Sequence, residues 1–414
     1  MTTTAGQIRS YRGPVLFSYG FRPFFLFGAA WAALAVALWL PMLAGHLALP
    51  TAMTPIDWHV HELVYGYVPA VVAGFLLTAV PNWTGRLPVV GAPLAWLFAC
   101  WLAGRAAIAT SAWIGAAGAA AIDVAFLLAL GAVITREIVA GGNTRNLKVL
   151  AGVALLLAGN VVFHVEAIEG AGAGYGTRLG IGATILLIML IGGRIIPSFT
   201  RNWLVRRDAG RLPAPFEGTD VAAMAVSGVA LALWIALPAA RATALLALAA
   251  MAMNLLRLAR WAGERTAAEP LVLVLHVAYA FVPAGFGLLA LGILAPGVVA
   301  PTGAVHGFTA GAIALMTLAV MTRASLGHAG RALMATPPIQ AIYGAALVAA
   351  LARLLAAFDV LREPMLHLSA AAWVLAFGGF VVVYGPLLAR RRARADHDLT
   401  RHVSHDKARF SSLK

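Results

Sequence analysis

Twelve apolar stretches, each close to twenty residues long, run through this chain and leave it one way to fold. A helix of about twenty residues covers about 30 Å, the thickness of a bilayer's hydrocarbon core. Inside lipid every backbone N–H and C=O must find its partner within the protein, and a helix supplies nearly all of them itself. The stretches fall at roughly 22–44, 58–80, 89–109, 112–137, 147–167, 177–199, 219–239, 242–262, 270–294, 302–322, 338–359 and 367–389. Charged residues make up 11% of the sequence, against about 25% in soluble domains. The expected fold class is an all-α integral membrane protein, a bundle of about twelve transmembrane helices.

The net charge of +14 would suit a nucleic-acid binder, but its placement argues against one. Arg9, Arg12, Arg86, Arg136, Arg145, Lys148, Arg201, Arg206, Arg207 and Arg211 fall in alternate connections. So do Arg257, Arg260, Arg265, Arg323, Arg331 and the tail from Arg390. The other connections hold only Arg105, Arg178, Arg241 and Arg362. This positive-inside bias predicts both termini in the cytoplasm and no nucleic-acid partner. The expected organisation is a cytoplasmic segment 1–21, a transmembrane domain 22–389 and a mobile basic tail 390–414. Residues 1–13 are polar and predict a retained first span rather than a cleaved signal. The single cysteine, Cys100, removes disulfides, iron–sulfur clusters and thiolate zinc sites.

Histidines inside the apolar stretches are the candidate chemistry. Imidazole in a membrane span marks a site by default, and a metal or haem iron satisfies several at once. The alternation places His59, His61, His164 and His306 near the outer face, on three separate helices. His276 falls about 9 Å into the inner leaflet, and His328 just below it in a loop. His59 and His61 are about 200° apart on a regular helix. They therefore serve two centres, or the helix starts irregularly. Glu62 beside them, and Asn160 one turn before His164, could orient ligand rings. Arg194 lies in the inner end of the sixth span, where haem propionates or the headgroups would take its charge. Asp123 and Arg353 could pair with each other, or Asp123 could carry protons. The plain alternatives are a helix–helix hydrogen bond for His276, a loop position for His328, and polar residues of a transport path for the outer histidines. The segments from His61 and His306 share a later Gly, Ala and Gly-Arg at equal offsets (Gly66/Gly311, Ala79/Ala324, Gly85-Arg86/Gly330-Arg331). So few matches in a Gly- and Ala-rich chain leave an internal repeat open.

Several motifs resemble the NnrS family of multi-span bacterial membrane proteins. They are Phe21-Arg22-Pro23-Phe24-Phe25, Trp58-His59-Val60-His61-Glu62, and the run from Ala73 through Pro81-Asn82-Trp83-Thr84-Gly85. Further on come Gly193-Arg194-Ile195-Ile196-Pro197-Ser198-Phe199-Thr200 and His306 through Arg323 to His328, so that the motifs span about 310 residues. The resemblance implies a multi-pass protein of the bacterial inner membrane, haem b held by span histidines, copper as a further metal, and nitric oxide as ligand. Carried to matching positions, the cofactor residues are His59, His61, His306 and His328, with Arg194 and Arg323 for anionic groups. His164 and His276 join them from topology alone. The metal set is His59, His61 and His306, and Glu62 is the expected catalytic proton donor.

Two functions fit these residues. In the first, a nitric oxide reductase-like haem protein joins two NO, two electrons and two protons into N₂O and water. Its electron donor is a quinol or a redox protein. In the second, a twelve-span transporter exports a nitrosylated or iron-bound species, as an internal repeat would suit. A sensor or assembly factor ranks third, for want of a soluble signalling domain.

Overall fold

The computed structural model describes residues 11–142, 144–172, 174–207 and 209–390. The first ten residues and the basic tail beyond Arg390, with His397, His402 and His405, lie outside them. Twelve helices are long and apolar enough to cross a membrane, and no β-strand occurs among the described residues. In chain order they are α1 Phe21–Leu43, α2 Pro55–Thr84, α3 Ala92–Ala109, α4 Ala116–Ala140, α5 Leu147–Glu169, α6 Gly174–Leu204, α7 Gly218–Ala236, α8 Arg241–Ala259, α9 Pro270–Leu294, α10 Thr302–His328, α11 Pro337–Ala357 and α12 Arg362–Ala389. The fourth begins later than its apolar run, because Gly115 at φ 82° separates it from the short turn Ser111–Ile114. A φ of that sign suits glycine and breaks the helix there.

Three helices form the centre. In α2, α6 and α10 the most apolar window is 78%, 67% and 72% buried within the protein, against 33–50% in the other nine. The three pack on one another. Around them α3 packs on α4, α7 on α8 and α11 on α12, while α4 packs on α5, α8 on α9 and α12 on α1. The packing order therefore repeats every four helices around the inner three. Lipid tails give no hydrophobic drive for helices to associate, so close backbone approach must hold the centre together. Gly180 of α6 shows it: a Cβ there would strike the Tyr65 ring of α2, whose hydroxyl donates to the Gly176 carbonyl at 2.6 Å.

The likeness between α2 and α10 is deeper than their sequences. In α2 an α-helical start ends at His61 and a π-helical stretch runs Glu62–Tyr67. In α10 the start ends at His306 and a π-helical stretch runs Gly307–Ile313. Gly85 and Gly330, at equal offsets beyond them, both take a left-handed φ, 70° and 65°. π-Helical turns inside α-helices concentrate at functional sites.

Candidate functional site

Six buried polar and charged side chains gather near the start of α2. His61 and Glu62 meet Arg105 of α3, Asp123 of α4, and Asn160 and His164 of α5. None of the six is more than 4% exposed. The Arg105 guanidinium donates to both Glu62 oxygens, at 2.8 and 2.7 Å, and its other terminal nitrogen donates to Asp123 Oδ1. Trp31 of α1 donates its indole N–H to Glu62 Oε2 at 2.6 Å. On the far side Asn160 donates to Asp123 Oδ2 at 2.7 Å, and the Nε2 atoms of His61 and His164 each lie 3.2 Å from that oxygen. His61 Nδ1 lies 3.0 Å from Glu62 Oε1. Gly66 makes room for this packing, since a Cβ there would overlap the Arg105 guanidinium.

Two expectations change here. Arg105 does not sit in a connection: it lies four residues before the end of α3 and points inward, where two carboxylates hold it better than headgroups could. Asp123 pairs with Arg105 and not with Arg353. A hairpin of adjacent spans places acid and base side by side, whereas Arg353 belongs to a helix across the bundle.

The second place is a narrow cleft of about 100 Å³, lined by His59, His306, Arg353, Trp39, Tyr67 and Trp373 among others. His306 Nδ1 donates to the Thr302 carbonyl one turn back, at 2.8 Å, which leaves Nε2 with its lone pair. The His59 ring stacks on Trp39, with centroids 4.0 Å apart, and its buried Nδ1 has no hydrogen-bond partner. Arg353 is half-buried and makes no hydrogen bond or ion pair among the described residues. Val68 and Thr184 also border a neighbouring cavity whose other walls are almost all apolar, Phe75, Ile188 and Met316 among them.

The NnrS family model matches residues 15–392, which takes in every one of the twelve helices. The chain belongs to the NnrS family. Among curated proteins none matches it.

In this NnrS-family chain His59 and His61 thus face different sites. The 200° between them around the first turns of α2 carries one to the cleft and the other to the charge cluster. The expected metal set of His59, His61 and His306 is divided between the two places, and His164 joins His61. His276, His328, Arg194 and Arg323 border neither. His276 Nε2 pairs with Thr200 Oγ1 at 2.8 Å, a link between α9 and α6. His328 is exposed at the end of α10, against the rings of Tyr19 and Phe21. Arg194 is exposed, and Arg323 lies 4.1 Å over the Phe199 ring.

A further buried network escaped the sequence reading. Arg257 of α8, expected in a connection, is 1% exposed. It donates to Asp220 Oδ1 at 2.9 Å, to the Tyr279 hydroxyl at 2.9 Å and to the Met189 carbonyl at 3.1 Å. Tyr279 in turn donates to Asn254, and Asn254 to Ser227, both at 2.8 Å. The available signal was Asp220 opening an apolar run that leads, through one hairpin, to Arg257 at the far end of the next.

Proposed function

We propose that this protein binds nitric oxide at a haem b held in the cleft and removes it as N₂O, in the bacterial inner membrane with its basic face cytoplasmic. The supporting observation is the lining: two imidazoles, each with a ring nitrogen free of protein partners, beside an unpaired arginine in an apolar wall. Haem suits such a lining. His306 and His59 would hold the iron, and the carbonyl bond at His306 Nδ1 fixes the tautomer that leaves Nε2 to ligate. Arg353 would take a propionate, which a guanidinium pairs with two parallel hydrogen bonds. The bound iron would supply the NO-binding and redox chemistry.

The reaction also needs electrons and protons. Two NO, two electrons and two protons give N₂O and water. The electrons require a quinol or a redox protein. Glu62 and His61 share a proton position between Oε1 and Nδ1, and they are the groups proposed to supply protons. NO is small and weakly polar, so it partitions into lipid and into the apolar cavity beside the cleft. Twelve bilayer-crossing helices let it enter from the membrane itself.

The test is an absorption spectrum of the purified full-length protein. Soret and α bands, lost in His306→Ala and weakened in His59→Ala, are expected, with an NO-induced shift. A chain free of haem, or haem indifferent to both substitutions, overturns the assignment and favours the transporter.

A further inference from the structure

The charge cluster around Asp123 has the makings of a metal site separate from the cleft. His61 Nε2, His164 Nε2 and an Asp123 oxygen all lie within 4.8 Å of one another and are buried. Asn160 Oδ1 is a fourth donor, 3.2 Å from His61 Nε2. Tetrahedral ligation with bonds of about 2.0–2.1 Å sets neighbouring donor atoms about 3.3 Å apart. The His61–Asp123, His164–Asp123 and His61–Asn160 separations are each 3.2 Å.

The hydrogen-bond bookkeeping points the same way. Asn160 donates through Nδ2 to Asp123, so its Oδ1 is an acceptor facing His61. A neutral imidazole carries one N–H. Both nitrogens of His61 face oxygens: Nδ1 the Glu62 carboxylate, Nε2 the Asp123 carboxylate and the Asn160 amide oxygen. With the N–H directed to Glu62, a lone pair meets two acceptors. The charges also fail to cancel, because Glu62 and Asp123 bring two negative charges and Arg105 one positive. A proton on His61 would mend both faults. It would leave His164 as one more N–H donor to an oxygen that Asn160 and His61 already serve. A cation at that point uses every donor present, with Glu62 orienting His61 from behind as carboxylates do for ligand histidines.

We infer that His61, His164, Asp123 and Asn160 bind one divalent first-row transition ion. Two nitrogens and two oxygens, without a thiolate or thioether among them, suit zinc or copper(II) and not copper(I). This site does not depend on haem in the cleft.

The experiment uses the full-length protein in detergent, stripped with chelator and dialysed against Co²⁺ as an optical probe or Zn²⁺ for elemental analysis. One ion per chain is expected. His164→Gln and His61→Gln should each weaken Co²⁺ binding at least tenfold. Glutamine keeps an N–H near the Asp123 oxygen, so the helices stay packed, which size-exclusion and circular dichroism check. His59→Ala should leave Co²⁺ binding unchanged while lowering haem, and His164→Gln should leave haem unchanged. A wild-type chain holding no stoichiometric ion overturns the inference in favour of a proton on His61. Binding that survives both glutamine variants overturns it as adventitious.

Discussion

Replacing Arg105 with methionine should damage this protein more than any surface change. The guanidinium serves Glu62, which is fully buried, and Asp123, which is 3% exposed. Two charges with centres about 4 Å apart attract by about 4 kcal/mol at an effective dielectric of about 20. Desolvation offsets most of that attraction while the set is complete. Arg105→Met removes the attraction and keeps the desolvation, stranding two carboxylates in the bilayer interior. Losing one partner of a buried ion pair costs about 3–5 kcal/mol, a large part of the 5–15 kcal/mol that typically separates folded from unfolded. The assay is thermal unfolding in detergent, followed by near-ultraviolet circular dichroism and by the fraction still monodisperse. The triple variant Glu62→Gln, Arg105→Met, Asp123→Asn should regain most of the loss, because no unpaired charge remains. Arg105→Lys should fall between, since an ammonium cannot fork onto two carboxylates. A single methionine variant within about 1 kcal/mol of wild type would refute the view that this arginine neutralises the cluster.

Three further outcomes are expected. Gly66→Ala forces its methyl into the guanidinium and should cost about 1–3 kcal/mol, the usual range for overpacking, measured by the same unfolding. Arg353→Leu should leave the fold intact and lower haem retention during dialysis, read from the Soret band; full retention would remove Arg353 as a propionate partner. Glu264, between α8 and α9, has a carboxyl pKa below the usual value: burial pushes it up, but the hydrogen bond from Arg211 at 2.7 Å outweighs this. A depressed folded-state value means the link stabilises above the unfolded carboxyl's pKa and is lost as pH falls through the folded one. The pair is exposed, so Glu264→Gln should cost under about 1 kcal/mol near neutral pH, with the difference vanishing in acid.

The number of helices was legible because length and composition alone decide what crosses lipid. Which way side chains turn was less so. His59 and His61 could be separated from the 100° step of a helix, without knowing what each faced. Arg105 and Arg257 were misplaced for one reason: near a span end, an arginine reads the same whether it snorkels to headgroups or folds back onto an acid. Only the packing of α3 against α4, and of α7 against α8, decides between these. The repeat of four helices was hidden for a different reason. Its signature is burial around α2, α6 and α10, and in lipid a buried face and an exposed face are equally apolar. The π-helical stretches after His61 and His306 leave no residue pattern that differs from an ordinary helix.

One hydroxyl outside the bilayer core should control both sites. The α-helical start of α2, Pro55–His61, is only seven residues long and carries His59 on one side and His61 on the other. So short a segment does not hold its shape alone. Thr54 fixes its first turn: Oγ1 accepts from the Asp57 backbone N–H at 3.1 Å and donates to the Asp57 carboxylate at 2.7 Å. Losing such a cap costs about 1 kcal/mol, which corresponds to about a fivefold shift in an equilibrium. If fraying the turn reorients both imidazoles, Thr54→Ala should weaken haem retention and Co²⁺ binding together, each by up to about fivefold. Thr336, which precedes α11 and makes no side-chain cap, is the control, and Thr336→Ala should change neither. Should Thr54→Ala affect haem but not Co²⁺, then His61 is held by Asp123 and Glu62 regardless of the turn beneath it, and the two sites are not linked through α2.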